Sequence, residues 1–196
     1  RLPDYAGSTR FLRGLLNAWS LSFVAYAYSA PPLNTLLTGL DLDGDGISQT
    51  LLPGTTRHNT FGRGLTEARL RDLVADYNAS IEAATRRVTN VDGTITVVRP
   101  RTPFNQVLNP ITLPDTFSSG DSFTTQDVRV TKDLRFGGTV VLSLIAEVFN
   151  LFNVSNLTGY SGVLNQPNYG QPSARVGQVF GTGGPRAGQL AARLTF

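Results

Sequence analysis

Three aspartates at alternate positions form the most chemically suggestive motif of the chain. The segment Asp41-Leu-Asp-Gly-Asp-Gly-Ile-Ser48 combines the carboxylates of Asp41, Asp43 and Asp45 with two glycines that permit a sharp turn. A calcium ion takes six to eight oxygen ligands in a loop of this kind. A helix-loop-helix calcium site would also need a bidentate glutamate at the twelfth loop position, where this chain has Leu52. Two interpretations stay open: a calcium loop with these three ligands, or an acidic turn without a metal.

Other chemistry has little support in the sequence. His58 is the single histidine, it lies in a polar Thr-Thr-Arg-His-Asn-Thr segment, and no Gly-x-Ser-x-Gly elbow accompanies it. The chain has no cysteine, which excludes a disulfide framework and a thiolate metal site. The net charge of +3 comes from scattered basic residues, whereas a nucleic-acid surface needs a concentrated basic stripe. We therefore expect neither an enzyme nor a nucleic-acid-binding protein, and no cofactor apart from a possible calcium ion.

Four segments alternate apolar and polar residues with the period of a β-strand. They span residues 19–28, 123–136, 139–149 and 187–196. Strands of about ten residues can cross an outer membrane when they are tilted. The chain has no apolar run long enough for a transmembrane helix, so it could cross a membrane only as part of a β-barrel. The pattern predicts an all-β fold, a partial antiparallel transmembrane barrel of about four strands.

The last of these segments has an apolar face that ends in an aromatic residue. Its members at alternate positions are Leu190, Ala192, Leu194 and Phe196. We expect that face to meet lipid, while the opposite, smaller and more polar face lines the lumen.

The connections between the segments alternate in length. Gly137 and Gly138 mark a minimal turn, whereas the stretches at about 31–122 and 153–186 are long. Outer-membrane barrels have short periplasmic turns and long outer loops, which predicts the orientation of the strands. Within the first long connection, apolar residues recur at three- and four-residue steps over 65–86 and predict one short amphipathic helix.

Side-chain parity predicts the register of the hairpin between the second and third segments. The odd-numbered residues are the polar ones on both strands, so odd residues must lie opposite odd residues. A three-residue loop over 137–139 satisfies this condition and pairs Arg129 with Glu147. A loop over 136–138 would instead oppose Asp127 and Glu147, a like-charge pair that cross-strand energetics disfavour. We therefore expect Arg129 and Glu147 to form a cross-strand pair on the lumen side.

Several of these segments resemble the C-terminal part of TonB-dependent outer-membrane receptors, in particular the Oar-like group. The stretches 127–136, 144–153 and the residues from Phe180 to Phe196 are similar to the last three strands of that family. The acidic loop followed by Leu-Pro-Gly-Thr-Thr is similar to its outer loops. The resemblance covers most of the chain from about Trp19.

The resemblance implies a bacterial outer-membrane transporter for a scarce or large substrate that the sequence does not identify. The family has a barrel of about 22 strands filled by an N-terminal plug, through which the TonB complex supplies energy. This chain contains no candidate for the plug, so we interpret residues 1–196 as a C-terminal barrel fragment. The terminal apolar pattern also resembles the signal that the barrel-assembly machinery reads by pairing a strand edge. The alternative is a calcium-binding extracellular β-sandwich with a binding or adhesion role.

Overall fold

The computed structural model describes residues 1–178, 181 and 183–196. Phe180, which belongs to the family-like segment, lies outside the described residues. The described chain is mostly β-structure, and its sheets do not close into a barrel. Neither of its two helices has the length and apolar character needed to cross a membrane.

The described residues form two helices and ten strands. In chain order they are α1 (Arg10–Leu16), β1 (Trp19–Tyr28), β2 (Leu36–Thr38), β3 (Gln49–Leu51), α2 (Glu67–Ala84), β4 (Arg86–Thr89), β5 (Ile95–Val98), β6 (Phe123–Phe136), β7 (Val140–Phe149), β8 (Leu157–Thr158), β9 (Ala174–Arg175) and β10 (Ala187–Thr195).

The contacts divide the chain into two compact units. Unit 1 consists of Arg1–Ser29, Ser122–Leu157 and Arg175–Phe196, and unit 2 consists of Ala30–Asp121 and Thr158–Ala174. Unit 2 is therefore built from most of the two long connections that the sequence predicts.

Unit 1 contains a four-stranded antiparallel sheet in the order β1-β6-β7-β10. Strands β1 and β6 have the bounds that the alternation predicts. Strand β7 begins at Val140 and β10 ends at Thr195, so each is one residue shorter than predicted. The sheet is open, because β1 and β10 are edge strands with one neighbour each.

The hairpin between β6 and β7 has the predicted register. Phe136 pairs with Val140 at the turn, and Arg129 lies directly opposite Glu147 further along the ladder. The backbone of the turn has φ values of 56° at Gly137 and 84° at Gly138. L-residues other than glycine rarely adopt these angles, which explains the Gly-Gly pair. The parity argument is confirmed.

Unit 2 is organised around a conventional hydrophobic core. Its longest element is α2, where the Thr66 side chain accepts a hydrogen bond from the backbone N–H of Arg69 at 3.3 Å and so caps the N-terminus. The helix buries five of the six residues that the three- and four-residue spacing predicts, namely Leu70, Leu73, Val74, Tyr77 and Ile81, whereas Ala84, the sixth, is exposed. Leu37, Leu52 and Leu164 from the surrounding segments complete the fully buried part of this core.

Polar contacts hold the irregular segments of unit 2 against the helix. The Asn78 amide donates to the carbonyl oxygen of Ile111 at 2.8 Å and accepts from the Ile111 N–H at 2.7 Å. Both hydrogen-bonding groups of a backbone residue are thereby satisfied by one side chain.

Phe61, Phe117 and Tyr169 form a cluster of aromatic rings with centroid separations of 5.5–6.0 Å.

The helical content differs from the prediction in two ways. The loop helix is not short, because α2 extends over 18 residues. A second helix, α1, precedes the first strand and is absent from the prediction. Its seven residues include Gly14, a poor helix former, and are too few to give a clear periodic signal.

The buried tyrosines of unit 2 make its stability depend on pH in the alkaline range. Burial raises the pKa of Tyr169 and of Tyr77, and the Tyr169 hydroxyl donates to the carbonyl oxygen of Asn34 at 3.2 Å. Because the pKa is higher in the folded state, this stability is complete below the unfolded tyrosine pKa of about 10 and is lost as the pH rises above it. We expect Tyr169→Phe to lose less stability than the wild type between pH 8 and pH 11, measured by urea unfolding.

Tyr5→Phe provides the matched control, because Tyr5 is exposed and lies in unit 1. This variant should lose as much stability as the wild type over the same pH interval. An equal loss in Tyr169→Phe would contradict the assignment of the alkaline effect to Tyr169.

Candidate functional site

One face of the four-stranded sheet is apolar across all four strands. The register places Leu21, Val130, Ala146 and Leu190 in a single row. We call this side of the sheet the apolar face, and its members are Trp19, Leu21, Phe23, Val128, Val130, Leu134, Phe136, Val140, Leu142, Leu144, Ala146, Val148, Leu190, Ala192 and Leu194. Alternation along each strand places them all on the same side.

The apolar face is not covered. Leu190 is 87% exposed and Phe23 is 59% exposed, which is unusual for side chains that alternate so regularly. Among the described residues, every buried hydrophobic side chain of the core belongs to unit 2. A contiguous exposed apolar surface of this kind marks a site of contact with a membrane or a partner.

The opposite side of the sheet, which we call the polar face, carries a cross-strand network of polar side chains, and Val24, Tyr26, Val141 and Ile145 lie on the same side. Ser22, Arg129, Glu147 and Gln189 form a row over all four strands. Arg129 forms an ion pair with Glu147, whose second carboxylate oxygen accepts a hydrogen bond from the Gln189 amide. Because Arg129 is about half exposed, solvent screens the pair and its contribution to stability is small. The network contributes mainly to the register.

Lys132 lies on the apolar side of β6, where the alternation places it together with Thr124 and Gln126, but its contacts were not predicted. It pairs with Trp19 and Leu144, yet only 7% of it is exposed. Its ammonium donates to the carbonyl oxygens of Gly14 at 2.7 Å and Leu15 at 3.2 Å, and also to that of Asn17. These carbonyls are at the C-terminal end of α1, so a buried cation and unpaired helix carbonyls satisfy one another.

Two buried asparagines fix the segment after β7 and were also missed. Asn150 has a φ of 48°, its N–H donates to Asp127, and its side chain both donates to and accepts from the backbone of Val154. Asn156 accepts from the Thr124 N–H at 2.8 Å and donates to the Gly183 carbonyl at 3.0 Å. For Asn150 the signal was present in the repeated asparagines of Phe-Asn-Leu-Phe-Asn, because asparagine tolerates left-handed backbone, whereas Asn156 lies outside that stretch.

The predicted assembly-signal residues lie on an exposed edge strand. Leu190 and Leu194 project from β10 with 87% and 59% of their surface exposed, and Ala192 is also exposed. Phe196 follows the strand and is 92% exposed. An unpaired edge with exposed apolar side chains is a template for pairing with another strand.

The acidic loop belongs to unit 2 and brings its three aspartates together. One carboxylate oxygen from each of Asp41, Asp43 and Asp45 lies within 4.8 Å of the others. Asp41 is 3% exposed and accepts from the backbone N–H groups of Gly44 at 2.7 Å and Gly46 at 3.0 Å, whereas the other two aspartates are not buried. The three carboxylates are suitable ligands for a hard cation. The hydrogen bonds that Asp41 accepts also suffice to stabilise an acidic turn without a metal. Leu52, at the twelfth position, is fully buried.

The remaining candidate, His58, is exposed in unit 2.

No family model, no curated protein and no solved structure matches this chain.

The two interpretations of the acidic loop can be separated by calorimetric titration with calcium. If the loop binds calcium, we expect a dissociation constant of about 10⁻⁴–10⁻³ M, as for extracellular sites, because no bidentate glutamate completes the loop. Asp43→Asn combined with Asp45→Asn should abolish the binding heat while keeping the turn that Asp41 holds. Asp72→Asn with Asp76→Asn, on the exposed side of α2, is the charge-matched control. An identical titration in the loop variant and the wild type would exclude these ligands.

Proposed function

We propose that the four-stranded sheet is a segment of a transmembrane β-barrel in the bacterial outer membrane. The chain is then the C-terminal barrel portion of a TonB-dependent receptor, which imports a scarce or large substrate. It acts as a part of a transporter and not as an enzyme.

The single observation that carries this proposal is the exposed apolar face opposite a polar face. A water-soluble sheet with one solvated face exposes its polar side and buries its apolar side. Here the apolar side is exposed while Arg129, Glu147 and Gln189 interact on the other. In a barrel, lipid contacts the apolar face and the water-filled lumen contacts the polar face. Strands β1, β7 and β10 have 9 or 10 residues, the length that a tilted transmembrane strand requires.

The β-sandwich alternative requires a second sheet over the apolar face. Such a sheet would pack at about 10 Å and bury the facing side chains. The exposed fractions of Leu21, Phe23 and Leu190 instead favour the barrel.

The family assignment is supported by the sequence resemblance. Under this proposal the polar face lines the lumen, so Arg129 and Glu147 are lumen residues, and the long connections at about 31–122 and 153–186 are outer loops. The TonB complex acts through a plug that this chain does not include. The proposed partners are therefore the outer-membrane bilayer, the barrel-assembly machinery, the TonB complex and the transported substrate.

Site-directed spin labelling along β10 tests the membrane location. The natural chain has no cysteine, so each introduced cysteine is unique. Labels at Leu190→Cys, Ala192→Cys and Leu194→Cys should be accessible to molecular oxygen and protected from a water-soluble nickel chelate in outer-membrane vesicles. Labels at Gln189→Cys and Arg193→Cys should show the opposite preference, because successive side chains point to opposite faces.

Asp76→Cys on the exposed side of α2 gives the reference for a fully aqueous label. Protection of the Leu190 label from both reagents would indicate a second protein layer and support the sandwich. Nickel accessibility at all five β10 positions would contradict both the membrane location and the sandwich.

The exposed edge of β10 predicts a role in barrel assembly. Phe196→Asp should lower the amount of heat-modifiable protein in the outer membrane without changing its synthesis, because a charge replaces the aromatic residue beside an edge that must pair. Phe104→Asp makes the same substitution at an exposed position of unit 2 and should leave assembly unchanged. Normal assembly of the Phe196 variant would contradict this role.

A further inference from the structure

Helix α1 is amphipathic, and its apolar side faces no protein. At 100° per residue, Phe11, Leu12, Leu15 and Leu16 occupy one continuous arc of the helix, and Arg10 and Arg13 lie on the opposite side. Phe11 is 75% exposed, Leu15 is 52% exposed, and no residue of the helix is buried. A seven-residue helix with such a surface is marginal in water. It has the composition of a helix that lies in a membrane interface.

The helix is attached to one end of the sheet. Lys132 donates to the carbonyls at the C-terminal end of α1, and the Trp19 indole N–H donates to the Leu15 carbonyl oxygen at 2.9 Å. Both side chains belong to the apolar side of the sheet. They lie towards the end of β6 that leads into the Gly137-Gly138 turn. Under the proposed function this is the periplasmic end, where tryptophan commonly marks the membrane boundary.

A groove of about 430 Å³ runs between the end of α1 and the end of β6. Gly14 and Arg13 line it on the helix side, and Leu134 and Phe136 line it on the strand side. Phe136 is 54% exposed there. An apolar strip is thus bordered by a guanidinium, which matches an acyl chain attached to a phosphate.

Arg13 of α1 and Arg135 of β6 are the exposed cations that line this groove, and Asp133 also lines it. Arg10 lies on the same side of α1 as Arg13, about one helical turn before Gly14. Among the described residues, neither Arg10 nor Arg13 forms an ion pair with a carboxylate, and Arg13 donates one hydrogen bond, to the Ser8 carbonyl oxygen at 3.0 Å. Lys132 is not available, because its three donors are engaged by helix carbonyls. Phosphate oxygens are strong acceptors for such free guanidinium donors.

We propose that α1 and the end of β6 form a binding site for a phospholipid with an anionic headgroup. Arg10 and Arg13 bind the headgroup, and one acyl chain lies along Leu134 and Phe136. The site rests on the proposed function, because it requires the apolar face to be in the bilayer.

Trp19 provides a direct readout, since it is the single tryptophan of the chain and contacts both Leu15 and Lys132. The complete barrel protein that contains this chain is reconstituted in phosphatidylcholine vesicles that contain phosphatidylglycerol, with brominated acyl chains on one lipid or on the other. Any tryptophan outside this chain is first replaced by phenylalanine. Bromine quenches Trp19 only when the labelled lipid is adjacent. We expect brominated phosphatidylglycerol to quench Trp19 at a much lower mole fraction than brominated phosphatidylcholine.

Arg10→Gln combined with Arg13→Gln should reduce this preference about thirtyfold, since each basic residue near the surface strengthens binding to anionic lipid by about five- to sixfold. Both positions are exposed, so the variant should fold normally. Arg57→Gln with Arg63→Gln removes the same charge from exposed positions of unit 2 and should leave the preference unchanged.

Equal quenching by the two lipids in the wild type would overturn the proposed site. So would an unchanged preference in the α1 variant. The spin labels on β10 test the proposed function separately from the lipid site. Lipid exposure of Leu190→Cys together with an unselective Trp19 would contradict the lipid site alone, whereas an aqueous Leu190 label would contradict both.

Discussion

The apolar face of the four-stranded sheet is the constraint on which the other features of unit 1 depend. Burial of apolar surface stabilises a fold by roughly 25 cal/mol for each Å², and surface left in water contributes nothing. Unit 2 follows the usual solution, because Leu37, Leu70 and Leu164 are buried in one core. Unit 1 has no such core among its described residues and presents Phe23 and Leu190 outward. Unit 2 thus buries its apolar side chains, whereas unit 1 exposes them. Contact of unit 1 with an apolar solvent, as the proposed function requires, accounts for this difference.

An apolar solvent imposes a second condition, on the backbone. Hydrocarbon offers no hydrogen-bonding partner, so each edge strand within it must be paired. The described sheet leaves one edge of β1 and one edge of β10 unpaired. If the apolar face meets lipid, both edges require further strands, and the four strands are a segment of a larger closed sheet. The requirement for further strands is therefore a consequence of the proposed lipid environment.

The sequence predicted those features that short-range geometry determines. Alternation located β1 and β6 at their observed bounds, and parity with the Gly137-Gly138 turn fixed the pairing of Arg129 with Glu147. The period of α2 identified its buried stripe, since a helix face is also a local property.

Other features depend on contacts between residues far apart in the sequence. The core of unit 2 joins Leu37 to Leu164, and nothing local to either residue indicates that they share a core. The same holds for the ring cluster of Phe61, Phe117 and Tyr169. The acidic loop was identified from its spacing, yet burial of Asp41 and its hydrogen bonds to two backbone amides required the folded structure to be seen.

Lys132 connects the exposed face to α1, the helix that the sequence did not indicate. Alternation places this lysine on the apolar side of the sheet, where an unpaired charge is costly in lipid and water alike. The carbonyls at the end of α1 solve this problem, and in return the lysine stabilises a helix that is too short to persist alone. The lysine in β6 and the unpredicted helix α1 therefore depend on each other. Because the lysine is satisfied by protein rather than by water, its position is compatible with the membrane boundary that the proposed function places near Trp19.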